Sequence, residues 1–326
     1  MAVEARAFWI AAPGRGEIRD EALPKPSADD VVVRAFYSGI SRGTEALVFQ
    51  GRVPPSEFQR MRAPFQEGSF PAPIKYGYSN VGRIERGPRE LLDRTVFVLY
   101  PHQTQYVVPA QAVHVLPDDV PPERAVLTAN LETAINGLWD AQPQIGDRIV
   151  VVGGGTVGCL VAWLAGRIPG CDVELVDTNP QREAIAHVIG VRFALPDTVW
   201  EGADVVIHAS GSPAGLELAL KIAGFEATVV EMSWYGDQMV PLSLGEAFHA
   251  RRLTLKSSQV GTVAESQRAR WEPRRRMQLA LTMLADTVLD VLITGESEFE
   301  NLPETMVRLS TDSGDTLCHR VRYPKE

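Results

Sequence analysis

The sequence contains few cysteines, and none of them are paired in a recognisable motif. Its 326 residues include Cys159, Cys171 and Cys318, and no two of these form a Cys-x-x-Cys pair. An odd number of isolated cysteines fits neither a disulfide framework nor a common cysteine metal or redox site. The first residues, MAVEARAFWIAAP, do not resemble a secretion signal. We therefore expect a reducing, cytoplasmic location.

Positive charge is also scarce. Lysine and arginine total 32 against 41 for aspartate and glutamate, which gives a formal net charge of -9. A protein that binds the phosphate backbone needs a basic face, and this balance makes one improbable. We expect a small-molecule substrate and no nucleic-acid partner.

Long hydrophobic runs are almost absent. The segment IVVVGGGTVGCLVAWLAG, residues 149–166, has no charge and reaches the lower length limit of a membrane span. A buried strand, a glycine turn and the start of a helix explain the same composition without lipid. No membrane segment is expected.

What is present is the composition of a soluble globular protein. Apolar residues make up 45% and charged residues 22%, and the length suggests two domains. Residues 1–129 are rich in short β-type runs, residues 130–260 alternate strand and helix patterns, and we assign residues 261–326 back to the first domain. The apolar run ATVVEMSW is expected to form the edge of the second domain's sheet, where it could pair with another subunit, so we predict a homodimer.

A glycine motif in the second domain carries a specific chemistry. Gly153-x-Gly155-x-x-Gly158 follows a strand and opens a helix, and Asp177 ends the next strand. This context is typical of a dinucleotide site, with pyrophosphate at the helix N-terminus and the carboxylate on the ribose hydroxyls. The carboxylate would repel a 2′-phosphate, so NAD is expected in preference to NADP, although Arg182 could accommodate that phosphate. The expected cofactor-binding residues are Gly153, Gly155, Thr156, Val157, Gly158, Asp177 and Arg182; the alternative is a glycine turn that binds nothing.

The order of these segments resembles the medium-chain dehydrogenase/reductase superfamily over nearly the whole chain. LETAINGL leads into GDRIVVVGGGTVG, VIHASGS follows, and the C-terminal segment resembles the one that returns to the catalytic domain. The resemblance implies an α/β protein with a GroES-like, β-rich catalytic domain, a Rossmann domain with a doubly wound parallel sheet, and a cofactor held between them. It also adds Arg42 and Thr133 to the expected cofactor contacts.

The metal-binding positions of the zinc-dependent members are occupied here by other residues. The matching positions are Ser41, Tyr78 and Ala129, none of which suits zinc. The four-cysteine zinc lobe is missing as well, so no metal is expected. The motifs GISRGTE, GRVPP and GYSNVG resemble zinc-lacking dehydrogenases related to bacteriochlorophyllide a dehydrogenase, which oxidise a secondary alcohol.

The proton at the substrate oxygen must then be handled by side chains. Tyr78 is the first candidate, with Ser41, Thr44 and Glu45 in the neighbouring loop. Alternatively, Tyr78 only packs in the space of the metal and Glu45 is an exposed turn residue.

Other polar residues are weaker candidates. His102 is a second-rank acid–base candidate, and His208 follows a strand that could place it near the nicotinamide; the alternative for both is a structural, hydrogen-bonded histidine. The cluster Arg274, Arg275 and Arg276 is interpreted as a solvated helix start. The proline-rich loop from Gln50 to Tyr76 is either functional or a surface excursion.

The sequence therefore predicts a zinc-independent oxidoreductase that transfers a hydride between NAD(H) and a secondary alcohol or ketone. Two alternatives remain open: an NADPH-dependent quinone or enoyl reductase, and a dinucleotide-binding sensor without turnover.

Overall fold

The computed structural model describes residues 4–312 and 314–324. The chain forms two compact units, one made of residues up to Ala129 together with those from Leu281 onward, the other of Asn130–Ala280. The sequence predicts a return to the first domain at residue 261, whereas the structure groups residues 261–280 with the second unit. Arg276 explains the difference, because it forms hydrogen bonds with Glu132 and Asn136 of that unit.

The strands are, in chain order, β1 (Glu4–Ala12), β2 (Arg15–Ala22), β3 (Asp30–Ile40), β4 (Glu67–Gly68), β5 (Ile74–Lys75), β6 (Asn80–Arg86), β7 (Thr95–Val98), β8 (Gln105–Pro109), β9 (His114–Val115), β10 (Arg148–Val152), β11 (Asp172–Val176), β12 (Arg192–Ala194), β13 (Ala203–His208), β14 (Ala223–Glu231), β15 (Thr254–Ser257), β16 (Ile293–Glu298) and β17 (Cys318–Arg322). The α-helices are α1 (Arg42–Phe49), α2 (Pro122–Ala125), α3 (Thr128–Ala141), α4 (Thr156–Ala165), α5 (Arg182–Ile189), α6 (Pro213–Ile222), α7 (Ala247–Ala250), α8 (Pro273–Met283) and α9 (Leu302–Thr311). Short 3-10 helices cover Pro55–Glu57, Arg89–Leu91, Ala110–Ala112, Thr287–Leu292 and Phe299–Asn301.

The second unit is built on a parallel sheet with strand order β12-β11-β10-β13-β14-β15. Residues 149–152 of β10 are all buried apolar side chains, as expected for a strand covered on both faces. The strand order reverses between β10 and β13. Ligands of doubly wound sheets bind at the carboxyl ends of the strands beside this reversal. The fold therefore predicts a ligand site at the residues that follow Val152 and at His208.

The first unit contains two sheets. One has the order β2-β1-β5-β4, and the other has the order β16-β17-β3-β6-β7-β9, with β8 also paired to β3. The C-terminal strand β17 lies antiparallel to β3, pairing His319 with Ile40. The chain end therefore returns to the N-terminal sheet, as expected, beside the point where β3 leads into α1.

One strand assignment was wrong. ATVVEMSW does not form the sheet edge, because β14 is followed in the sheet by β15, which pairs with it in parallel. β15 is only four residues long and contains a single apolar residue, Leu255, followed by Lys256, so it lacks the apolar run that identifies a strand in sequence. Short, lysine-bearing strands are common at sheet edges, where they discourage pairing with other chains.

The uncharged segment of residues 149–166 contains β10, a turn and α4, as predicted. In the part of the chain that the structure describes, no helix combines the length and apolarity needed to cross a membrane.

Candidate active site

Three glycines shape the turn between β10 and α4. Gly153 has a φ of +112°, and a Cβ there would lie 2.6 Å from the Ser210 Cα. A Cβ on Gly158 would lie 1.8 Å from the Gly153 carbonyl oxygen, so only glycine allows the helix to approach the strand. A Cβ on Gly155 would meet nothing within 4 Å. The turn is thus tightly packed at its first and third glycines and open at the second.

Asp177 is fixed against this turn. Its Oδ2 accepts a hydrogen bond from the Gly154 amide at 2.6 Å, and its Oδ1 accepts one from the Asn179 amide at 2.8 Å. An ionised carboxylate has about four acceptor positions, so each oxygen can still accept a ribose hydroxyl. Arg182, at the start of α5, is 6% exposed. A Cβ on Gly154 would lie 3.1 Å from its Cγ, so its side chain lies along the turn.

The remaining predicted cofactor residues occupy three helices. Thr156 and Val157 begin α4, whose first amides are a ready anion site. Thr133 lies in α3. Arg42 is the first residue of α1, in the other unit.

In the first unit, Tyr78 and three residues around the start of α1 come together. Tyr78 lies between β5 and β6, and the Ser41 and Thr44 side chains lie close enough to its hydroxyl to act on its pKa. Burial, then the nearby Glu45 carboxylate, raise the pKa of Tyr78 well above its ordinary value, although these two side chains act in the opposite direction. The phenol is therefore protonated at neutral pH. Part of its side chain remains exposed, so it can meet a ligand.

Glu45 belongs to a network of buried, hydrogen-bonded side chains. The Glu45 Oε1 accepts a hydrogen bond from the Ser41 amide at 2.8 Å, and its Oε2 lies 2.8 Å from the His102 Nε2. The His102 Nδ1 lies 2.7 Å from the Ser38 Oγ, which is 3.0 Å from the Tyr323 hydroxyl. With Glu45 ionised, His102 donates from Nε2 and accepts at Nδ1, and Tyr323 donates to Ser38. Every group of this network then has a partner.

Gly77 makes room for the imidazole. Its φ is +129°, and a Cβ would lie 3.0 Å from the His102 Cδ2 and 3.1 Å from its Nε2. The Ser38, His102 and Glu45 side chains superficially resemble a hydrolytic triad, but Ser38 is fully buried and faces Nδ1 rather than Nε2. The network therefore holds Glu45 in place and does not present a nucleophile.

A second buried histidine lies at the carboxyl end of β13. The His208 Nδ1 is 2.7 Å from the Glu231 Oε2, and its Nε2 is 2.6 Å from the Ser210 Oγ. His208 pairs in register with Val152, directly before the glycine turn. The two polar networks thus belong to different units.

Two relatives of similar sequence are named as dehydrogenases. No protein-family model matches the chain. A 2-dehydro-3-deoxy-L-galactonate 5-dehydrogenase of Pseudoalteromonas atlantica is 30% identical over 139 residues, which cover 39% of this chain and 40% of that protein. The D-guloside 3-dehydrogenase of Escherichia coli K12 is 26% identical over 216 residues, covering 63% and 59%. The chain thus matches between two fifths and three fifths of the length of these relatives.

Solved structures share the fold over almost the full length. A protein of Sinorhizobium meliloti 1021 assigned as a zinc-binding dehydrogenase, bound to NADP, superposes with a TM-score of 0.78 at 16% identity, covering 98% of this chain and 99% of that one. A short chain alcohol dehydrogenase of Escherichia coli CFT073, complexed with NADH, gives 0.77 at 17% identity with the same coverage. These solved structures are named as dehydrogenases, and the shared fold confirms the predicted fold class.

Ser41, Tyr78 and Ala129 are the residues that the resemblance matches to zinc ligands. Ser41 and Tyr78 belong, with Thr44, to a group of neighbouring hydroxyls that we call the hydroxyl cluster. Ala129 is buried. Among the residues that the structure describes, no group of three or more His, Cys, Asp or Glu side chains could hold a metal ion. Burial raises the thiol pKa of both Cys159 and Cys318 to about 12, so these cysteines are neutral, apolar packing groups.

Two interpretations of the sequence need correction. Arg276 is not part of a solvated helix start, because it is 2% exposed and its Nε donates to the Glu132 Oε1 at 3.0 Å. Arg274 and Arg275 are exposed, as expected. Glu45 is not an exposed turn residue either: it lies buried in α1, where it binds His102.

Sequence reasoning missed Ser38 and Tyr323 and ranked His102 too low. Ser38 and Tyr323 are 285 residues apart, and no local pattern connects them. The loop from Gln50 to Tyr76 does reach the site, since the Tyr76 ring packs edge-on against Tyr78 with centroids 6.0 Å apart. That contact shows that the end of the loop is part of the site's wall.

Proposed function

We propose that this protein is a zinc-independent oxidoreductase that transfers a hydride between NAD(H) and a secondary alcohol or ketone. The observation that carries the proposal is the cluster of Tyr78, Ser41 and Thr44 hydroxyls beside buried Glu45, and the resemblance matches Ser41 and Tyr78 to zinc-ligand positions. Relatives named as dehydrogenases of a guloside and of a deoxy-galactonate support an alcohol substrate.

The residues of the second unit fit a dinucleotide. The opening at Gly155 and the first amides of α4 would hold the pyrophosphate, and Asp177 would accept the ribose hydroxyls. When bound, the nicotinamide supplies or accepts the hydride.

The residues of the first unit move the proton. During reduction, the substrate oxygen gains negative charge, and the protonated Tyr78 hydroxyl donates its proton to it. Ser41 and Thr44 hold the phenol in position and hydrogen-bond the phenolate until solvent returns the proton. Burial and, to a smaller extent, the nearby Glu45 carboxylate keep Tyr78 protonated between turnovers, because both raise its pKa.

NADH is expected to bind more tightly than NADPH, by about 1–3 kcal/mol, because Asp177 faces the position of a 2′-phosphate and Arg182 is buried against the turn. Asp177→Ala should reduce this difference in binding free energy, mainly because it weakens the binding of NADH. Calorimetric titration with both dinucleotides measures it. Asp172→Ala, an exposed aspartate at the start of β11, is the matched control. Equal or tighter NADPH binding by the unmodified protein would contradict the assignment and favour the quinone or enoyl reductase class.

Purified protein is expected to contain no stoichiometric zinc, and incubation with a chelator should leave folding and hydride transfer unchanged. Elemental analysis together with a nicotinamide absorbance assay on a panel of alcohols and ketones tests this. One equivalent of zinc that is lost together with activity would mean that the metal site lies elsewhere. Tight NADH binding without turnover on any member of the panel would favour the sensor function.

The remaining assignments are proposals of the same kind. The branch related to bacteriochlorophyllide a dehydrogenase is supported by GISRGTE, GRVPP and GYSNVG near the N-terminus. A cytoplasmic location is supported by three cysteines that form no disulfide. A homodimer stays a prediction that sedimentation tests, and its original basis is weaker, because the terminal strand of the sheet is the short, lysine-bearing β15 rather than β14.

A further inference from the structure

A buried lysine lies three residues before the proposed proton donor, Tyr78. Lys75 ends β5, and its side chain is 1% exposed. An ammonium group has three N–H donors and no acceptor, and burying it is costly unless those donors find partners. The proposed transfer of hydride and proton does not use Lys75, so its position in the fold needs another reason.

All three Lys75 donors have partners, and these come from separate segments of the first unit. Its Nζ lies 2.8 Å from the Glu21 Oε2 in β2, 2.5 Å from the Glu67 Oε1 in β4 and 2.8 Å from the Gln103 Oε1, shortly before β8. The Trp9 Nε1 donates to the other oxygen of Glu21 at 2.5 Å, so this carboxylate is itself held in place. The ammonium therefore fixes the end of β5 against three neighbouring segments.

Gln103 is the buried, uncharged partner of Lys75. It is 1% exposed, and its Nε2 donates to the Gln105 carbonyl at 2.8 Å, which directs its amide oxygen toward Lys75. The Glu67 side chain, by contrast, is 54% exposed, and an exposed ion pair is screened by solvent. The buried amide therefore restricts Lys75 more strongly than the exposed carboxylate does.

Close packing joins the same two segments nearer to Tyr78. A Cβ on Gly77 would lie 3.3 Å from the backbone nitrogen of His102, so the two backbones approach closely. One segment continues from Lys75 into Tyr78, and the other carries the imidazole that binds Glu45. The hydrogen bond of Lys75 and this packing together hold the two segments side by side.

We infer that Lys75 is a positioning residue that, through Gln103, sets the place of the Tyr78 hydroxyl. This inference rests on the proposed function, in which that hydroxyl donates the proton to the substrate oxygen. The chain between Lys75 and Tyr78 has little freedom to absorb a shift, because Tyr76 is 4% exposed and packs edge-on against Tyr78. A displacement of the lysine is therefore passed on to the phenol.

Lys75→Met tests the inference, because it removes the three hydrogen bonds and keeps a long, unbranched side chain. The measurement is single-turnover reduction of a ketone by the full-length protein loaded with NADH, with the rate expressed per NADH-binding site. We expect this rate to fall by about 10–100-fold, as it does when a reacting group is misplaced. The solvent deuterium isotope effect should increase, because proton transfer then limits the step.

Other properties of Lys75→Met separate positioning from a purely structural role. The NADH dissociation constant and the steady-state KM of the ketone should change little, because Lys75 is expected to act on the proton donor alone. A lysine that only stabilised the fold would affect the free energy of unfolding and leave the rate per site and the isotope effect unchanged.

Gln103→Met breaks the same hydrogen bond from the other side and leaves Lys75 with both glutamates, so it decides the question even where Lys75→Met does not fold. It should slow transfer by a similar factor, and the double variant should be no slower than either single one. Arg19→Met is the matched control. Arg19 lies in β2 and, like Lys75, places its cation near the Trp9 ring, 4.7 Å from the centroid, and its variant should transfer hydride at the normal rate.

Three outcomes would overturn the inference alone: normal transfer by Gln103→Met, slow transfer with an unchanged isotope effect, or equally slow transfer by Arg19→Met. In each case slow transfer by Tyr78→Phe would leave the proposed function intact. Failure of the unmodified protein to reduce any ketone of the panel with NADH would overturn both the inference and the function on which it rests.

Discussion

Replacing Tyr78 by phenylalanine is expected to slow hydride transfer by about 10²–10⁴-fold, because it removes the proton donor at the substrate oxygen. Only one hydroxyl is lost, so the free energy of unfolding and the NADH affinity should change little. Single-turnover measurement of hydride transfer isolates the chemical step from product release. Glu45→Gln provides a parallel test, since it removes the charge that helps raise the pKa of Tyr78.

Tyr76→Phe is the matched control for this experiment. Tyr76 packs against Tyr78 and is buried, but it is not part of the hydroxyl cluster. It should transfer hydride at close to the normal rate. Near-normal transfer by Tyr78→Phe would remove Tyr78 from the mechanism and leave it as packing. In that case Tyr78→Ala should mainly reduce stability, by about 3–5 kcal/mol for a fully buried ring and less for one that is partly exposed.

Replacing Arg276 by alanine is expected to lower the free energy of unfolding by about 3–5 kcal/mol, since it leaves Glu132 buried without its partner. Burial already raises the pKa of Glu132, and Arg276 is the group that opposes this shift. Arg276 also donates to the Asn136 side chain and the Val260 carbonyl, both within its own unit. Urea denaturation followed by circular dichroism measures the loss.

The neighbouring Arg275→Ala variant is the control for that loss. Arg275 is exposed and makes a cation–π contact with Trp271, in which its Cζ lies 3.8 Å from the ring centroid. Arg275→Ala should lower the free energy of unfolding by about 1 kcal/mol or less. Equal losses from the two arginines would mean that the buried pair does not stabilise the unit. A double variant, Glu132→Gln with Arg276→Met, should lose less than Arg276→Ala because no uncompensated charge remains.

The sequence by itself determined the features whose causes lie within a few dozen residues. Gly153, Gly155 and Gly158 define a turn that the neighbouring backbone imposes, and Asp177 follows the next strand, where parallel pairing must place it beside that turn. The apolar run of β10 required burial on both faces. The proximity of Tyr78 and Ser41 could also be predicted, because the resemblance matched both residues to ligand positions of one metal site, and Thr44 and Glu45 follow Ser41 in the chain.

Only the tertiary structure decided the features that depend on distant segments. In the sequence, His102 is far from its polar partners. In the fold, β3 supplies Ser38, α1 supplies Glu45 and the C-terminal segment supplies Tyr323 to the network around it. Arg276 looked like one of three solvated arginines until the fold placed Glu132 beside it, 144 residues earlier in the chain. The physical reason is common to both cases. Desolvation and hydrogen-bond partners are properties of a side chain's surroundings in space, and a periodic pattern records only which face of its own element a residue occupies.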